Sequence, residues 1–335
     1  MRKILILLSI VLFAAHTNAD YAHITKQISH IEKEKKLTIG VAAIHIESGK
    51  FFHYRQDELF KMASTMKLPV AIYLLHQVKN KNISLSKMVR IEPHDLVLGS
   101  GRMGYYLTYP SLIISIHNLL EAMMAISCNS STDVILKYIG GVRATSNFIH
   151  SLGFKEINLN NNCEDLYYIT SGMDIPKTKI GRTLKNWKDE IKNQPLNQRR
   201  IAAKEYFYNN TDTATPRSMM NLLVDLFNGS ILGRDYSEML LDIMSRCTEN
   251  ERITKHLPYH VKTSHKTGSW WDRNGRGHEY ATFSDVGIIY LPKGKGHVAL
   301  AIYSKSDKNP KRGDHLKSIA KIAHLIYKEF YTKSS

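Results

Sequence analysis

Three short clusters along the chain carry side chains that could act together in a reaction. Ser64-Thr65-Met66-Lys67 opens a strongly apolar helical run. Residues three apart share a helix face, so the Ser64 hydroxyl and the Lys67 amine can meet. A serine attacks poorly unless a neighbour takes its proton, and a lysine in a dry, apolar setting can have its pKa lowered enough to do so. By itself the pair also reads as a helix N-cap beside a solvated lysine. Ser127-Cys128-Asn129 lies between two helical stretches. Its hydroxyl could relay a proton to a leaving nitrogen, and its amide could donate to and accept from an amide-like substrate. Lys266-Thr267-Gly268-Ser269-Trp270 lies on a predicted strand, where Lys266 and Thr267 suit a substrate carboxylate. Gly268 removes a side chain where another backbone must come close. Nucleophile with base, proton relay and carboxylate cradle, in that order, are what acyl transfer from a peptide-like acid requires.

The elements that must position these clusters can be read from periodicity. Residues 21–35 form a helix with Ile24, Ile28 and Ile31 on one face. Thr38 to Ile46 and Phe51 to Tyr54 pair as a hairpin across Glu47-Ser48-Gly49-Lys50. Helices are predicted over 67–79, 115–125, 132–139 and 218–227, strands over 260–269, 282–291 and 297–304, and a closing amphipathic helix over 316–331. Strands at both ends with helices between them imply a mixed α/β chain of the α+β type. One antiparallel sheet, built from both termini and flanked by helices, carries a mostly helical insertion.

Composition bounds the rest. Arg2 and Lys3, an apolar run from Ile4 to Ala15, and Thr17-Asn18-Ala19 have the layout of a cleavable secretory signal. The run is shorter than the roughly 20 residues that span a bilayer, and no other stretch is long and apolar enough. Residues 1–19 are thus expected to be a signal peptide, and 20–335 an exported domain, periplasmic or secreted. Within it a helical subdomain would cover about 64–228 and a sheet subdomain 20–63 and 229–335. The formal charge of +16 falls to +14 without Arg2 and Lys3. A basic surface favours polyanions, but no nucleic-acid motif is present, and scattered lysines also serve solubility. Three cysteines and sixteen histidines without ligand spacing indicate neither a disulfide framework nor a metal site. No cofactor is implied, and a monomer is expected.

The three clusters resemble the motif set of class A β-lactamases and penicillin-binding proteins, whose middle member is usually Ser-Asp-Asn. The likeness extends to the opening hairpin, to Ile139-Gly140-Gly141, to Thr213-Ala214-Thr215-Pro216 and to Asp285-Val286-Gly287-Ile288-Ile289-Tyr290. It implies that Ser64 is acylated, that Lys67 assists, that Ser127 shuttles the proton, and that Asn129, Lys266, Thr267 and Gly268 hold the substrate. The expected reaction is hydrolysis of β-lactams through an acyl-enzyme. A D-alanyl-D-alanine peptidase acting on cell-wall peptides, or a β-lactam-binding domain without turnover, are the alternatives. Cys128 replaces the usual aspartate, and Leu98-Gly99-Ser100-Gly101 stands where many relatives place an aromatic, implying a more open mouth. The glutamate that activates water in class A enzymes has no clear counterpart. Glu164 sits at a suitable distance after the middle motif but about 50 residues before Pro216, Glu205 is nearer Pro216, and neither has the Arg-Trp-Glu-Pro context. The charged insertion, with its lysines from 177 to 204, reads as a solvated face. The resemblance would also bring Cys128 and Cys163 close enough for a disulfide.

Overall fold

Residues 21–101, 103, 112–272, 279–309 and 311–333 are described by a computed structural model. The expected signal segment lies outside them. Five antiparallel strands form the main sheet in the order β2-β1-β9-β8-β7. The hairpin β1 (Thr38–His45) and β2 (Phe51–Tyr54) comes from the N-terminal end of the chain. β7 (Thr263–Trp271), β8 (Ala281–Tyr290) and β9 (His297–Ser306) come from the other end. β1 joins β9 in register from Thr38 opposite Lys305 to His45 opposite Val298. Two-stranded ladders pair β3 (Phe60–Lys61) with β6 (Thr213–Ala214), and β4 (Met88–Ile91) with β5 (Leu112–Ser115).

Both faces of the sheet are covered, which is why β8 and β9 are buried almost without interruption. Side chains still alternate. Leu300, Ile302 and Phe283 meet Ile24, Ile28, Ile322 and Ile326 of α1 (Ala22–Lys35) and α11 (Arg312–Lys333). Ala299, Ala301, Val286 and Ile288 belong to the other core, with the central helices. α2 (Lys67–Lys79) is apolar around its circumference, with Leu68, Val70, Ala71, Ile72, Leu74 and Leu75 all buried, as a helix enclosed by others must be.

Around α2 lie α3 (Ile116–Ala125), α4 (Asn129–Tyr138) and α10 (Arg234–Ser245), while α9 (Pro216–Phe227) packs on β1, β8 and β9. Like α10, four further helices lie where periodicity marked none: α5 (Gly141–Ser151), α6 (Cys163–Thr170), α7 (Leu184–Asn193) and α8 (Leu196–Tyr208). Three of them bury only two residues each, Thr145 and Ile149, Trp187 and Ile191, and Ala203 and Tyr206. So thin a stripe is hard to see against a charged background. The insertion is therefore not merely a solvated face. No helix among the described residues is long and apolar enough to cross a membrane.

Candidate active site

Ser64 lies on a 3-10 turn, Ala63–Met66, that runs directly into α2. Ala63 is held at φ 47°, in the left-handed region that residues other than glycine seldom occupy. That kink leaves Ser64 half-exposed at the mouth while Thr65 turns inward and donates to Met62 O at 2.8 Å. Lys67, the first residue of α2, is fully buried. Its Nζ donates to Ser127 O at 2.6 Å and to Asn129 Oδ1 at 2.7 Å, and lies 3.3 Å from Ser64 Oγ. Burial pushes its pKa down from the ordinary lysine value. A neutral amine has two N–H donors and one lone pair. The two short bonds use the donors, which leaves the lone pair facing two hydroxyls, Ser127 Oγ at 3.1 Å and Ser64 Oγ at 3.3 Å.

Ser127 takes φ 58°, a second left-handed position at the site. α4 begins at Asn129 rather than near 132, because Cys128 Sγ caps it by accepting from Ser131 N at 3.5 Å. A thiol here takes over the N-cap task that a carboxylate would perform. Asn129 Nδ2 donates to Leu98 O at 2.8 Å and Asn129 N to Ser100 O at 3.1 Å, so the 98–101 loop is stitched to the middle motif. A Cβ on Gly99 would fall 2.0 Å from Tyr167 Oη, and one on Gly101 2.2 Å from Cys128 Cα.

β7 supplies the facing wall. Lys266 Nζ donates to Ser127 Oγ at 3.0 Å and to Thr267 O at 2.9 Å. Burial, above all, brings its pKa down to about 7. A Cβ on Gly268 would lie 2.5 Å from Met62 O and 2.5 Å from Ser284 Oγ, so β7 approaches the Ser64 turn closely only because this residue is glycine. Buried Arg252 donates to Gly268 O at 2.7 Å and Ser284 O at 2.5 Å, locking β7 to β8 at that point. Neither Arg252 nor strained Ala63 stood out in sequence, since neither belongs to a motif.

Behind α4, Asp133 accepts from Cys163 N at 2.9 Å and Glu164 N at 2.8 Å and so holds the start of α6. Its burial raises its pKa to about 7. Glu164 does not face the nucleophile. Its buried carboxylate is paired with Lys179 and Arg182, and the Arg182 guanidinium stacks 4.5 Å over Trp187 of α7. Cys163, one residue earlier, lines the cleft instead. Glu205 is exposed on α8, outside the cleft lining. Lys61 ties the end of the insertion to the strand before Ser64, donating to Thr211 O at 2.6 Å with the Tyr206 ring 4.0 Å away. The disulfide that the resemblance would have allowed between Cys128 and Cys163 does not form. Both are free thiols, as is Cys247, because Sγ of Cys128 turns to its own helix.

Ser64, Ser127, Asn129 and Thr267 line a cleft of about 930 Å³, with Lys67 and Lys266 buried behind them. Six of the seven residues singled out from sequence meet at one place, and Gly268 lets their supports approach. Sheet, helical layer and serine–lysine centre together define an enzyme of the serine hydrolase class. The model of the Beta-lactamase enzyme family matches residues 23–330, and the chain belongs to that family. It is 25% identical to the beta-lactamase VEB-1 of Pseudomonas aeruginosa over 99% of this chain and 98% of that protein. Identity to the beta-lactamase SME-1 of Serratia marcescens is 26%, over 93% and 90%. The crystal structure of the TLA-1 extended-spectrum beta-lactamase superposes with a TM-score of 0.74 at 26% identity, covering 94% of this chain and 99% of that one.

Proposed function

We propose that the enzyme hydrolyses β-lactams through an ester on Ser64, with Lys67 as the base in both halves of the reaction. The observation that carries this is the placement of Lys67: dry, with both short donors used, and 3.3 Å from the hydroxyl. Ser64 Oγ attacks the lactam carbonyl carbon and its proton passes to Lys67. As the ring C–N bond breaks, Ser127, within reach of both lysines at 3.1 and 3.0 Å, delivers that proton to the nitrogen. Lys67 is then neutral again. It takes a proton from water attacking the ester and returns it to Ser64 Oγ as the acid leaves. Lys266 and Thr267 hold the ring carboxylate, and Asn129 orients the acyl amide. Turnover of a chromogenic cephalosporin, followed together with intact mass, tests the reading. Many turnovers with a transient adduct are expected. No product and no adduct, with Ser64→Ala matching wild type, would reject it.

Glu164 is engaged by two cations rather than aimed into the cleft, and this favours a second reading. With a slow ester hydrolysis step, the same site would serve as a D-alanyl-D-alanine peptidase on cell-wall peptides. Glu164→Gln separates the roles: an unchanged acyl-enzyme lifetime supports Lys67 as the base, while a lifetime lengthened more than about tenfold assigns the step to Glu164. We further read residues 1–19 as a cleaved leader, the mature protein as an exported monomer, and about 64–228 as its helical subdomain.

A further inference from the structure

The insertion does more than close the cleft. α7 turns Trp187 and Ile191 inward. Lys188 and Lys192, each one residue further on and four apart, form a ridge on the same side of the helix. Both are exposed, and both line the cleft together with Arg199 of α8. Glu249 is the one carboxylate residue among the described residues lining the cleft, and it belongs to the opposite, β7 side, near Arg252. Arg312 also lines the cleft on that side and offsets it. Glu190, two positions from Lys188, turns away toward Tyr168 and Arg182. The α7–α8 wall thus contributes three cations to the cleft and no anion.

The chemistry of a β-lactam decides what could meet them. Its carboxylate is on the ring-nitrogen side of the reactive carbonyl, and its acyl substituent is on the carbon at the other side. With the carboxylate at Lys266 and Thr267 and the carbonyl at Ser64, that substituent extends away from the Lys266 end of the cleft. Leu166, Tyr167 and Thr170 of α6 line the same cleft as Lys188 and Lys192. We propose that this rim is a subsite for a second anionic group, a carboxylate or sulfonate, on the acyl side chain. The enzyme then favours dianionic over monoanionic β-lactams. The inference rests on the β-lactam reading of Ser64. Because both lysines are solvated, the preference is moderate and falls as salt screens it.

A matched pair tests it: benzylpenicillin, and carbenicillin, which adds one carboxylate to the same side chain. The quantity is the ratio of their kcat/KM values, carbenicillin over benzylpenicillin, at low ionic strength. Lys188→Glu with Lys192→Glu should lower that ratio about tenfold, and the paired Gln substitutions about threefold. Added salt should lower it in wild type and barely alter it in the Gln variant. A ratio unchanged in both variants, or equal changes for both substrates, overturns the subsite while leaving hydrolysis at Ser64 intact. Hydrolysis of neither substrate by wild type, without an adduct, overturns the β-lactam reading and the subsite together.

Discussion

The two walls of the cleft are built on different principles. The β7 wall is backbone against backbone: Gly268 lets the strand press on the Ser64 turn, Arg252 fastens it to β8, and nine residue pairs join β7 to β8 from Thr263 to Trp271. Such a ladder holds buried Lys266 3.0 Å from the Ser127 hydroxyl, which Lys67 at the start of α2 meets at 3.1 Å. The α6–α8 wall is side chain against side chain. Tyr167 and Tyr168 pack on Trp187 at 5.4 and 5.2 Å, Arg182 lies over the same ring, and Glu164 answers Arg182 and Lys179. The first wall positions reacting atoms. The second shapes what surrounds the substrate and presents charge to it.

If the division is sound, damage to each wall should register in a different measurement. The largest effect belongs to Lys67→Ala, which should slow acylation about 10²- to 10⁴-fold, read by the rate of adduct formation, while the folded protein persists. Trp187→Ala should do the reverse. It removes the centre of the aromatic stack and should cost about 3–5 kcal/mol of stability by denaturant unfolding, yet acylation of the protein that remains folded should stay within a few-fold. Equal loss in both measurements would erase the distinction. Gly268→Ala strikes where the walls' logics meet, since a Cβ 2.5 Å from Met62 O must move the strand or the turn. It should cost about 1–3 kcal/mol in stability and also reduce kcat/KM.

A smaller effect should appear with pH. Lys266, brought down to about 7 by burial, carries its proton below that value and loses it above. Once the cation is gone the substrate carboxylate has no partner, so kcat/KM should fall by up to about tenfold per unit on the alkaline side. Bound substrate keeps the proton on Lys266, so kcat should be less sensitive. A kcat/KM profile flat from pH 7 to 10 would contradict the assignment. The smallest effect is Cys128→Ala, which deletes only the cap of α4 and should cost about 0.5–1 kcal/mol in thermal unfolding.

The motif wall was legible because its residues are chemically rare combinations in a set order, and because period-two strands and the apolar α2 announce themselves. Gly268 could even be assigned a close backbone approach, and Met62 O is what approaches it. The insertion was not legible. α7 and α8 each bury two side chains, so hydropathy showed only lysines, and Arg182 read as part of a solvated face until the fold buried it against Glu164. Capping by Cys128 rather than bridging to Cys163 was equally hidden, because thiol direction depends on local backbone geometry.

Local patterning and side-chain chemistry, which need only neighbours in the chain, determined the sheet from both termini, the helical middle, and Ser64, Lys67, Ser127, Asn129, Lys266 and Thr267 as candidates. Whether Lys67 is dry, which way Glu164 points, and which lysines reach the cleft were decided by tertiary structure alone. Burial and charge pairing are set by residues distant in the chain, and no window of sequence contains them.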